Sequence, residues 1–92
     1  MIKSFAHKGL KRFFFKDEAS GIQPEHRQKL RVLLTALNDA EAIEQMALPG
    51  ADLHPLKHNL DGFWSVKVSA NWRLIFRFED GNAYIVDYLD YH

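Results

Sequence analysis

Three short segments concentrate side chains able to move protons or hold anions: Leu53-His54-Pro55-Leu56-Lys57, Asn71-Trp72-Arg73 and Asp90-Tyr91-His92. Cleavage of a phosphodiester by a neighbouring 2′-hydroxyl needs a base for the hydroxyl proton, a cation for the crowded phosphorane oxygens and an acid for the leaving 5′-oxygen. His, Lys, Arg and Asp can fill these roles without a metal, and His changes charge near neutral pH. Residue types alone leave other readings open. A histidine beside proline in a loop is often structural, and a tyrosine near a strand end often packs. A chain terminus ordinarily frays, yet an Asp-Tyr-His ending placed directly on a strand is expected to be held, with His92 offering both imidazole and α-carboxylate.

Other chemistries are disfavoured. His54 and His58 are spaced like a metal pair on a helix, but Pro55 lies between them and no third ligand is adjacent, so no metal site and no cofactor are expected. The sequence has no glycine-rich phosphate loop, no serine nucleophile elbow and no kinase-like signature. It has no cysteine, which excludes disulfides and thiolate metal sites. No apolar run approaches membrane-spanning length, and Met1-Ile2-Lys3-Ser4 opens no signal peptide, so a cytoplasmic protein without membrane contact is expected.

The elements that must position these residues follow from hydrophobic spacing. At 92 residues, 47% of them apolar, residues 1–92 are expected to form a single folded unit. Ile2–Phe5 alternates like a short first strand. Leu10, Phe13 and Phe14 mark a short helix near Lys8–Asp17, and Ser20-Gly21 breaks it. Pro24 suits the first position of a second helix, whose stripe is Leu30, Leu33, Leu34 and Leu37. Asn38, with Glu41 three residues on, resembles a cap for a short third helix through Met46, which Pro49-Gly50 ends.

Beyond residue 62 the period changes to two. Phe63–Val68, Trp72–Glu79 and Ala83–Leu89 read as three strands. Ser69-Ala70 and Asp80-Gly81-Asn82 form the turns between them. The expected fold class is α+β, with N-terminal helices packed on one face of a small, mainly antiparallel sheet. The helices should cover Trp72, Leu74, Phe76 and Phe78, leaving Arg73 and Arg77 on the open face. Arg77 is expected in a cross-strand salt bridge. Trp64, Tyr88 and Tyr91 are candidates to stack on RNA bases. His54, Arg73, Asp90 and His92 are expected to converge at one end of the meander, on its open face or rim.

Net charge is zero but uneven. Residues 1–31 carry eight Lys/Arg against three acids, a balance of +5, whereas residues 32–52 carry four acids and no base. A basic segment attracts phosphate backbones through counterion release. A solvated helix face has the same composition. Lys8, Lys11, Arg12, Lys16, Arg27, Lys29 and Arg31 are the residues expected to form a largely continuous basic surface against RNA.

At the chemistry-bearing segments the sequence resembles the HigB toxins of the RelE-like toxin–antitoxin superfamily. The strings are His54-Pro55-Leu56-Lys57, Gly62–Val68, Asn71-Trp72-Arg73, Gly81–Tyr88 and Asp90-Tyr91-His92. Met1–Phe5 and Lys8-Gly9-Leu10 fit as well. His58 stands where many relatives have glycine, and residues 16–52 match loosely. The resemblance implies a compact RelE-like fold and a metal-independent, ribosome-dependent mRNA endonuclease. It implies neutralisation by a HigA-type helix-turn-helix antitoxin, with DNA contacted only through that antitoxin. It gives His54 the role of general base or acid, Arg73 that of phosphate stabiliser, and Asp90 and His92 that of a terminal catalytic pair. Tyr91 lies between them, and Lys57 and Asn71 lie near substrate. The competing expectations are a non-catalytic module of the same fold that only binds antitoxin or RNA, and a nuclease acting on free RNA.

Overall fold

The computed structural model describes residues 1–57 and 60–90. Helix α1 is Lys8–Lys16, α2 is Arg27–Asp39, and the strands are β1 (His54–Pro55), β2 (Phe63–Ser69), β3 (Trp72–Glu79) and β4 (Asn82–Asp90). The strands form an antiparallel sheet in the order β1-β2-β3-β4. The expected α+β arrangement is therefore observed, with one added strand: His54 and Pro55 pair with Ser65 and Trp64.

The helices cover one sheet face because each carries a narrow apolar stripe. Leu10 and Phe13 from α1, and Leu30, Leu33, Leu34 and Leu37 from α2, join Val66, Leu74, Phe76 and Val86 in one buried cluster. Burying such a side chain contributes roughly 1.5–3 kcal/mol. His7 caps α1, its Nδ1 accepting the Leu10 N–H at 2.9 Å. Asp17 ends the helix in a left-handed conformation (φ 57°) instead of continuing it.

Three expected elements differ in detail. Pro24–His26 is a 3₁₀ turn that leads into α2, so the α-helix starts three residues after Pro24. The His26 N–H bonds Gln23 O, three residues back, which tightens the turn and tucks His26 inside. Asn38 does not cap a third helix. It lies within α2, and its Oδ1 accepts the Ile2 N–H. The following 3₁₀ turn, Ile43–Met46, is held at its start by Gln45 Oε1, which accepts the Glu41 and Ala42 N–H groups. Ile2–Phe5 forms two parallel bridges to β4, at Ala83 and Val86, in place of a strand. The ladder is interrupted where β4 bulges opposite Phe76, with Ile85 at φ 56°. Ser4 Oγ accepts the Ile85 N–H there.

α1 can sit close to the loop that follows it because two glycines face each other. A Cβ on Gly9 would lie 2.8 Å from Gly21 Cα, and one on Gly21 would lie 2.6 Å from Gly9 Cα. Both obstacles are backbone, so relief requires the helix or the loop to move. Gly9→Ala and Gly21→Ala are each expected to destabilise the fold by about 1–3 kcal/mol in urea unfolding, with Ser20→Ala as an exposed control. At Gly9 helix propensity favours alanine by roughly 0.5–1 kcal/mol, so a net loss there shows that the close approach dominates.

Candidate active site

The loop before β1 fixes the first site residues. Ala51 is fully buried, its N–H bonds Leu48 O, and its carbonyl accepts the Lys67 N–H of β2 at 2.6 Å. Asp52 follows in a left-handed conformation, φ 50°. Two residues later His54 enters β1 opposite Ser65. On β3, Arg73 stands opposite Lys67 of β2 and Leu89 of β4. Alternation along β2 and β3 gives Ser65, Lys67 and Arg73 the face away from the helices.

These placements bring four groups together. Arg73 Nη1 donates to Ser65 Oγ at 3.1 Å, and Arg73 Nη2 donates to Asp52 Oδ2 at 3.0 Å. The arginine side chain is only 17% exposed, so the guanidinium is held instead of waving in solvent. His54 Nδ1 lies 3.0 Å from the Asp52 carbonyl oxygen. A carbonyl can only accept, so Nδ1 carries the hydrogen and the neutral ring keeps its lone pair on Nε2. The Arg73 hydrogen bond holds the Asp52 carboxyl below the usual carboxylate range. Partial desolvation opposes that shift, and the charges of Arg73, His54 and Lys67 add to it.

Of the other expected site residues, Lys57 is exposed in the β1–β2 loop and Asn71 is exposed in the β2–β3 turn. Asp90 ends β4 opposite Trp72, one ladder position from Arg73, and alternation gives it the face of Trp72. Tyr91 and His92 lie outside the described residues, as does His58. Structure thus joins His54 and Arg73 through Asp52 and Ser65. Neither connector was singled out from sequence. Ser65 becomes visible only once β1 is known to pair with β2, and Asp52 had no signal beyond its place two residues before His54.

Three expectations are corrected. Tyr88 is not on the open face: it is buried, stacks on Trp72 at 4.7 Å between centroids, and its hydroxyl lies 2.6 Å from His26 Nδ1 and accepts the Gln23 N–H. Burial raises its pKa, and the hydroxyl stays protonated. Trp64 likewise packs against the core cluster. Both alternate with the open-face residues, which left them the helix-covered side. Among the described residues Arg77 makes no cross-strand salt bridge. It pairs with Glu79 on its own strand at 3.0 Å, and its guanidinium lies over the ring of its cross-strand partner Tyr84.

Known proteins resemble this chain along nearly its whole length. A family model described as the RelE-like toxin of type II toxin–antitoxin system HigB matches residues 3–92. The chain is 45% identical over 92 residues to the Endoribonuclease HigB of Proteus vulgaris, covering all of both chains. It is 33% identical over 94 residues to Toxin HigB-1 of Vibrio cholerae serotype O1, covering 100% of this chain and 98% of that one. Among solved structures, the YoeB-YefM complex from Staphylococcus aureus matches with a TM-score of 0.63 at 20% identity, covering 100% of this chain and 95% of that one. The last likeness speaks to the fold alone.

Because the carboxyl pKa is lowered in the folded chain, the Asp52 contribution to stability is present above the ordinary carboxylate range. It is lost as acid protonates Asp52 in the folded state. Carbon-detected NMR titration is expected to place the Asp52 midpoint below 3.8, and Arg73→Gln is expected to return it toward 3.8. An unchanged midpoint in that variant would remove Arg73 as the cause.

Proposed function

Since this chain belongs to the HigB family of RelE-like toxins of type II toxin–antitoxin systems, we propose that it is an endoribonuclease cutting mRNA on the ribosome by metal-independent attack of a 2′-hydroxyl. The observation that carries the reading is a held guanidinium on the open sheet face, beside a histidine whose neutral form keeps Nε2 as a base. In this mechanism the 2′-oxygen bonds phosphorus as the bond to the 5′-oxygen breaks. The products are a 2′,3′-cyclic phosphate and a 5′-hydroxyl. Arg73 stabilises the phosphorane oxygens. His54 and His92 exchange the two protons, and Asp90 orients His92. Lys57, Asn71 and Tyr91 hold the message. A HigA-type helix-turn-helix antitoxin neutralises the toxin in the cytoplasm and alone contacts DNA.

Support for a ribosomal surface comes from the basic N-terminal third. Lys8, Lys11, Arg12, Lys16, Arg27 and Arg31 are exposed and Lys29 is half-buried. Arg31 pairs with Asp17, and Arg12 lies 4.0 Å from Glu18. That leaves Arg27 and the lysines as the clearest phosphate contacts. Charge reversal at Lys8, Lys11 and Lys29 together is expected to weaken ribosome association and to flatten its dependence on salt concentration. Unchanged affinity and slope would return these residues to an ordinary solvated face.

The catalytic reading is tested by cleavage of a defined message on ribosomes with EDTA present. His54→Ala and His92→Ala are each expected to slow cleavage by about 10²–10⁴-fold, and Arg73→Ala by about 10²–10³-fold, with the fold intact. Products should carry the cyclic phosphate. Ribosome or antitoxin binding without cleavage by the unaltered chain would favour the non-catalytic module, and equal cleavage of free RNA would remove the ribosome from the mechanism.

A further inference from the structure

Asp52 touches both halves of the candidate catalytic pair through different atoms. Its carboxylate accepts from Arg73 Nη2, and its backbone carbonyl accepts from His54 Nδ1, each at 3.0 Å. The residue before it is anchored to β2 by the Lys67 N–H bond to Ala51 O. Asp52 itself is held at φ 50°, a region aspartate tolerates better than most residues with a Cβ, because its short polar side chain can bond locally. Its side chain is 62% exposed. An exposed ion pair contributes little stability, so stability alone gives no account of this aspartate in this conformation.

Donor counting shows what the contact leaves available. A guanidinium carries five N–H groups. Among the described residues, Ser65 and Asp52 take one each, on different Nη atoms, which leaves three for a phosphate. Carboxylates that fully occupy an arginine use two parallel bonds. Asp52 makes a single one, which orients the group without consuming its fork.

We propose that Asp52 is the positioning residue of this site: its carboxylate holds the Arg73 guanidinium toward the scissile phosphate, and its carbonyl fixes His54 as the Nδ1–H tautomer, so that Nε2 is the nitrogen that exchanges protons with substrate. The proposal rests on the nuclease reading above. Asp52 acts through its two neighbours and does not touch substrate. Loss of the carboxylate therefore lowers the turnover rate and leaves substrate affinity nearly unchanged.

The test compares Asp52→Asn and Asp52→Ala with the unaltered chain and with Arg73→Ala. Asparagine keeps the tolerance for the left-handed backbone and an oxygen for Arg73, so it separates charge from loop folding. In ribosome-stimulated cleavage, Asp52→Ala is expected to lose roughly 10²-fold in kcat with KM nearly constant, and Asp52→Asn to lose less. Nitrogen NMR of the substrate-free chain supplies a readout independent of cleavage. The unaltered chain should show His54 protonated at Nδ1 and distinct, slowly rotating Arg73 Nη groups, and Asp52→Ala should average the latter. Wild-type kcat in Asp52→Ala with an unchanged Arg73 spectrum would overturn the proposal. So would faster cleavage with a lowered KM, which would make the carboxylate an obstacle in the phosphate seat. If the unaltered chain does not cleave at all, the nuclease reading falls, and the NMR comparison still decides whether Asp52 positions the pair.

Discussion

Leu74 and Phe76 are sealed beneath the helices, and the residue types around them on β3 follow from that burial. A strand alternates faces with period two, so fixing Leu74 inward fixes Arg73 outward. β2 obeys the same constraint: Val66 is buried toward the helices, and Ser65 and Lys67 take the other side. The leucine stripe of α2 therefore does more than stabilise the core. It decides that a guanidinium and a hydroxyl from neighbouring strands meet on one surface, where β1 adds a histidine. A one-residue slip of β3 would send Arg73 into the core and remove its contacts with Ser65 and Asp52 together.

This alternation was the part of the fold most legible from sequence. The helix stripe, the three long strands and the outward direction of Arg73 all follow from spacing alone. What sequence did not reveal depends on partners distant along the chain. The pairing of His54-Pro55 with β2 lacks any local signature, being two residues long and containing a proline that suits an edge strand. Asn38 carries a capping residue type, but tertiary structure uses it to receive the Ile2 N–H, 36 residues away. The family strings identified the arginine and histidine. The aspartate belongs to no string, the serine sits unmarked inside Gly62–Val68, and their link to the pair emerges only from the assembled sheet.

The aromatic residues show the same limit from the other direction. Tyr88 and Trp64 have the chemistry to stack on bases, yet both occupy the covered face. Tyr88 is spent internally: its ring stacks on Trp72 and meets the edges of His7 and His26. Its hydroxyl gives the buried His26 a polar partner, as buried polar groups require. The tyrosine thus ties the turn before α2 to the last strand.

The N-terminal segment lies along the outer side of β4, and its bonds to Ala83 and Val86 occupy backbone groups that a free sheet edge would present. Further along that strand, the Tyr88 N–H donates to Asp87 Oδ1, which sets a carboxylate where another strand would have to pair. The opposite edge, β1, is only two residues long. Exposed edges template the addition of foreign strands, and short, charged or covered edges suppress it. The first five residues, which bear none of the candidate chemistry, thereby shield the sheet from edge-to-edge aggregation with other copies of itself.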